Sequence, residues 1–193
     1  MPISSSRWEA YPWKNELKLQ AERAVAHGRE LIDDAFQHQH DPHSMMERAI
    51  VLAAFCVRRM IEKRLVTDAY AAATLRVRSF PARSSDDFRP PFRGHSGGSA
   101  FTNYKFDLPE LMDMKADDLA NELIHSSQLM VVGRETFASD GFLVASDWHL
   151  KRRVLHLSFE EYEAFTQSAL HDQITFASDQ SDPETGDIDA IRR

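Results

Sequence analysis

The chain of 193 residues predicts an α+β domain. An N-terminal antiparallel helical hairpin packs on a small, mainly antiparallel sheet, with a further helix between strands and a C-terminal amphipathic helix. Three observations predict it. Apolar residues recur at three- and four-residue steps early in the chain, short runs of strand length follow, and a helix-start signature opens a second apolar stripe near the end.

Over residues 13–36, Leu17, Ala21, Ala24, Val25, Leu31, Ile32, Ala35 and Phe36 form one helical stripe. Gly28 lies on that stripe, where a missing side chain lets another element come close. After "QHQHDPH", Ser44-Met45-Met46-Glu47 spells a capping box, which starts a second helix running to about Arg64. Met46, Ile50, Ala53, Val57, Met60 and Ile61 form its inner face. Together, residues 13–65 make the hairpin.

A short Ala-rich helix is expected over Thr67–Thr74. "LRVRSF" then alternates Leu75, Val77 and Ser79 with Arg76, Arg78 and Phe80, the period of a strand that Pro81 ends. Residues 83–100 hold prolines and glycines without periodicity and read as a mobile loop. "TNYKFDL" reads as a short edge strand and Asp117–Ser127 as a helix. "QLMVV" reads as a strand, and "GFLVAS" with "RVLHLS" as a hairpin turned across "DWHLKR". Ser158-Phe159-Glu160-Glu161 is a second capping box, and the helix it opens faces inward through Phe159, Tyr162, Phe165 and Ala169. These elements make residues 1–172 a single domain, with 173–193 an acidic tail expected to be disordered.

Composition narrows the function classes. The net charge is −7, but residues 58–93 carry 9 Lys/Arg against 4 Asp/Glu, while residues 94–193 carry 8 against 18. That balance argues against general coating of nucleic acid and leaves room for a local basic surface. The single Cys56 lies in an apolar stretch, which excludes an intramolecular disulfide and fits a reducing, cytoplasmic setting. No leader peptide or membrane span is read; the longest apolar run, Ala49–Val57, is far below the roughly 20 residues a span needs.

Four constellations could carry chemistry. Gly94-His95-Ser96-Gly97-Gly98 resembles, over five residues, the nucleophile motif of α/β-hydrolases. That resemblance implies a strand before Ser96 and a helix after it. Pro90 and Pro91 exclude a central strand, and a strand is read afterwards, so the segment reads as loop. "HQHDPH" is similar to the zinc motif of metallo-β-lactamase-like hydrolases, with Pro42 where that family has a metal-binding Asp. His38, His40 and His43 are thus weak metal candidates, and a metal-dependent hydrolase is one alternative function. Asp118, Glu122 and His125 share a helical face, so a carboxylate there could orient a histidine for acid–base work. A surface pairing explains the same spacing.

The fourth constellation is electrostatic. Arg76 and Arg78 share one strand face; Arg83, Arg89 and Arg93 stand in the 83–100 loop beside Phe88 and Phe92; Trp148, Lys151, Arg152 and Arg153 crowd one turn. Cations interleaved with aromatics suit an anionic partner. The leading expectation is a cytoplasmic binding or regulatory protein acting through this loop and sheet face. Its partner is a protein, with nucleic acid the alternative and self-association through the helical pair a further option. The sequence calls for no cofactor. Trp8, Tyr11 and Trp13 are read as closing one end of the core.

Overall fold

The periodic N-terminal third folds as two helices, α1 (Ser4–Ile32) and α2 (Pro42–Glu62), packed along their length. The computed structural model describes residues 4–34, 41–84, 88, 98–135, 137–181 and 188–193. Leu17, Ala21, Ala24 and Val25 of α1 are buried against Ala49, Ile50, Ala53, Val57 and Met60 of α2. The many alanines let the two backbones approach closely, so the interface is tight without long side chains.

Two helix starts differ from the sequence reading. α1 begins before Trp13 and continues through Pro12. Proline inside a helix forfeits a backbone bond; buried Ala10 on one side and Trp13 on the other, edge-on to Phe55 at 6.1 Å, tie the segment down. The second helix starts at Pro42, not Ser44. Asp41 is the N-cap, accepting from the His43 amide at 3.1 Å, and Pro42 fits the first turn because its missing N–H would have no partner there. Ser44 donates to Asp41 instead of capping.

After the short α3 (Asp68–Ala72), capped by Thr67, come β1 (Thr74–Pro81), the small helix α4 (Gly98–Asn103) and β2 (Glu110–Lys115). Next are α5 (Ala116–Ile124), β3 (Ser126–Val132), β4 (Gly141–Ser146), β5 (Arg153–Ser158) and α6 (Phe159–His171). The five strands form one antiparallel sheet in the order β2-β1-β5-β4-β3, so the fold is α+β as the sequence predicts. The edge strand is β2, not "TNYKFDL". There Tyr104 makes only an isolated bridge to Ala82, and its buried ring donates to the Leu150 carbonyl at 2.7 Å.

The sheet has an apolar layer on each side. Val77, Met114, Leu129, Phe142, Val144, Leu155 and Leu157 face the helices. On the outer face, Phe80, Val132, Leu143, Ala145 and Val154 lie under Tyr104, Phe88, Phe106, Phe137 and Leu150. The interior strand β4, between β5 and β3, is buried at every position, which is why it reads as a continuous apolar run.

The capping box at Ser158 is present in full: its hydroxyl accepts from the Glu161 amide at 3.1 Å, and the Glu161 carboxylate accepts from the Ser158 amide at 2.7 Å. The close approach at Gly28 also holds, since a Cβ there would stand 2.2 Å from Phe159 Cζ. Beyond α6, where disorder was expected, β6 (Ala177–Ser181) pairs with β7 (Ile188–Arg192). Arg192 anchors this hairpin by ion-pairing with Asp179 at 2.6 Å and donating its amide to Asp68 at 2.8 Å. Among the described residues, no helix is long and apolar enough to cross a membrane.

Candidate anion-binding surface

Three backbone hydrogen bonds extend the ladder past the end of β1. Ala82 donates to the Arg152 carbonyl at 2.8 Å, Arg83 to Asn103 at 2.8 Å, and Lys105 to Pro81 at 2.9 Å. They bring the backbone at Arg83, Lys105 and Arg152 onto neighbouring segments at one end of the sheet, with Lys151 next in the β4–β5 turn. Arg83, Lys151 and Arg152 are exposed and Lys105 is half-buried. Among the described residues, no carboxylate lies within ion-pair distance of any of the four. Trp148 stands in the same turn at 62% exposure, its ring 4.7 Å from that of His125. Asp147 beside it is engaged by the Ser127 hydroxyl.

The turn is held from below by a buried carboxylate. Glu122 on α5, only 3% exposed, accepts from the Ser146 amide at 2.9 Å and lies 2.6 Å from His149 Nδ1. Arg153 Nη2 stands 3.9 Å from the same oxygen. These contacts join α5, the end of β4, the turn and the start of β5. The helical-face reading thus finds its carboxylate in Glu122, but the histidine it contacts is His149, while His125 ends the helix and packs at a tilt against Trp148. His149 Nε2 takes no partner among the described residues and is not sealed from solvent.

On the outer sheet face the two strand arginines part ways. Arg76 is paired with its cross-strand neighbour Asp113 at 3.3 Å. Arg78, half-buried, donates through Nη1 to Nδ1 of His156, its neighbour on β5, at 2.8 Å. His156 is fully buried and stacked on Phe137 at 4.8 Å and 11°. Burial first, and the adjacent Arg78 charge second, push its pKa down from 6.5 to about 4.

That shift has a sign. Between about pH 6.5 and about pH 4 the unfolded chain protonates this imidazole and the folded chain does not. Its contribution is therefore complete above the unfolded pKa and lost as pH falls through the window. Melts of wild type and His156→Gln at about pH 7 and about pH 4.5 should show the gap between them narrowing at the acid end. A gap independent of pH would contradict the buried neutral histidine.

Phe88 turns inward, its ring edge-on to Tyr104 at 6.0 Å, so it belongs to the outer core layer and not to an exposed loop surface. Arg89, Phe92, Arg93, Ser96, His38 and His40 lie outside the described residues. The helix α4 (Gly98–Asn103) lies where the sequence reading has loop up to residue 100 and the start of a strand at Thr102. His43 Nε2 lies 3.1 Å from the Leu129 carbonyl, a contact that joins the start of α2 to β3. Among the described residues, no group of three His, Cys, Asp or Glu is arranged to hold a metal ion. Cys56 is buried, and desolvation first, then Glu16, raises its thiol pKa to about 11, as suits an unreactive core residue.

The chain matches no protein-family model, no curated protein and no solved structure. The functional reading therefore rests on this geometry.

Proposed function

We propose that this protein is a cytoplasmic binding protein whose basic sheet end takes an acidic segment of a partner protein. One observation carries the reading: Arg83, Lys105, Lys151 and Arg152 stand on neighbouring segments at one end of the sheet, with no ion-pair partner among the described residues, in a chain of net charge −7. Trp148 adds an exposed flat apolar surface in the turn that carries Lys151 and Arg152, the usual companion of charge at a recognition site. The turn that carries Trp148, Lys151 and Arg152 is fixed from beneath by Glu122, so the partner meets a largely preorganised surface.

The test is a titration of a labelled, capped Glu- and Asp-rich peptide. Binding should weaken as salt rises, because exposed charges are screened over about 10 Å at 0.1 M. The charge-reversal triple variant Arg83→Glu, Lys151→Glu, Arg152→Glu should lose binding by at least about tenfold, mainly through slower association. If a single-stranded oligonucleotide binds far more tightly than the peptide, the partner is nucleic acid instead. If neither binds, the surface has no such role.

Self-association through α1 and α2 is a second reading. It is favoured by Tyr11 and Phe55, exposed on these helices at 62% and 46%. Sedimentation of wild type against Phe55→Ser checks it, and a concentration-independent monomer in both removes it.

A further inference from the structure

The outer sheet face carries a charge with no carboxylate partner among the described residues. Arg78 is half-buried at the middle of β1, flanked by Leu111 on β2 and His156 on β5. Two residues along the same strand, Arg76 has its carboxylate in Asp113. Arg78 has instead a neutral imidazole, and among the described residues no carboxylate reaches it. A guanidinium offers five donors in a planar fork. The His156 bond uses one of them; Nε and Nη2 take no partner among the described residues and are not sealed from solvent. A cation partly withdrawn from water gains most from an anion, and a planar carboxylate can meet two of its donors at once.

The surroundings define the rest of the ligand. Leu111, 65% exposed, stands across one strand from Arg78, and the Phe137 ring covers His156 on the other side. The point is therefore one positive charge between apolar shoulders. That matches a monoanion on an apolar stem better than a phosphate, which carries more charge and draws on clusters of cations.

We infer that Arg78 is a carboxylate-binding point on the outer sheet face, taking an Asp or Glu side chain that an apolar neighbour seats against Leu111. This deepens the proposed function by naming what part of the acidic partner is read there. It uses residues separate from the sheet end, so each can fail alone. His156 serves as positioning residue: it holds Nη1 and leaves Nε and Nη2 turned to the ligand. A bound carboxylate would also offset the Arg78 charge that depresses His156, so occupancy and the imidazole pKa are linked.

The experiment follows the Arg78 Nε–H and His156 ring resonances of the full chain as capped Leu-Glu-Leu, capped Leu-Gln-Leu or inorganic phosphate is added. The inference expects a saturable shift with the Glu peptide, none with the Gln peptide, and weaker binding of phosphate. With the Glu peptide bound, the His156 pKa should rise above about 4. Arg78→Met should weaken binding at least about tenfold and Arg78→Lys severalfold, since lysine keeps the charge and loses the fork. The triple variant at the sheet end should bind the tripeptide as wild type does. Equal shifts with the Gln peptide, preference for phosphate, or undiminished binding by Arg78→Met would overturn it. A His156 pKa unmoved at saturation would overturn the linkage.

Discussion

Glu122→Ala is expected to destabilise the protein by about 3–5 kcal/mol, the range for removing one partner of a buried charged cluster. The loss has three parts. The Ser146 amide, buried at the end of β4, would lose its acceptor; Arg153 would lose the only carboxylate near it among the described residues; and His149 would lose the group that fixes its ring. The carboxylate is worth keeping because it is satisfied on several sides at once. Glu122→Gln separates shape from charge: the amide oxygen can still accept from Ser146, so a smaller loss of about 1–3 kcal/mol is expected. Urea unfolding monitored by circular dichroism reads both. An alanine variant within about 0.5 kcal/mol of wild type would mean the cluster contributes nothing to holding the turn.

Gly141→Ala should be comparably costly. A Cβ at this position would stand 2.1 Å from the Leu157 carbonyl oxygen and 2.7 Å from Ser158 Cα, both backbone atoms that cannot rotate away. Relief requires β5 to move off β4 at the Gly141–Ser158 pair. Ser158 also caps α6, and the Phe159 amide donates to Asp140 next door, so the strand cannot shift without disturbing the helix start. The cost should reach or exceed the upper end of the roughly 1–3 kcal/mol seen for overpacking. For a domain of this size that lowers the melting temperature by roughly 6–12 °C. Gly133→Ala is the control: the nearest atom to its Cβ is Asp140 Oδ1 at 3.8 Å, an ordinary contact. Equal melting of the two variants would contradict the close β4–β5 packing.

The helices were legible because their information is local. The stripe of Leu17, Ala21, Ala24 and Val25 and the box at Ser158 sit within a few residues of what they determine. The edge strand was harder. "ELMDMK" mixes Asp and Lys with apolar residues, as an edge strand half-open to water does, and gives little contrast. "TNYKFDL" alternates better, yet Tyr104 and Phe106 serve the outer core layer instead.

The site was legible by residue type and not by partnership. Arg76, Arg78, Arg83, Lys151 and Arg152 stand out in the sequence, but which of them is neutralised depends on strand register. Arg76 meets Asp113 because β2 pairs with β1, and Arg78 meets His156 because β5, far along the chain, lies on the other side. His156 carries no visible signal, since β5 is covered on both faces and a histidine there breaks no alternation. Glu122 gave a fainter one: an acid on the inward stripe of α5, among Leu119, Ala120 and Leu123, calls for a buried partner, and helical spacing alone suggested His125. Lys105 gave none, because only the Pro81 bond brings it to the sheet end.

The most direct check on the basic sheet end is residue-by-residue mapping of a titration with the acidic peptide by 1H–15N correlation spectra. The Trp148 indole and the amides of Arg83, Lys105, Lys151 and Arg152 should shift together along one binding curve, and their shifts should shrink as salt is raised. Shifts confined to α1 and α2, or no saturable shift at any of these five residues, would contradict it.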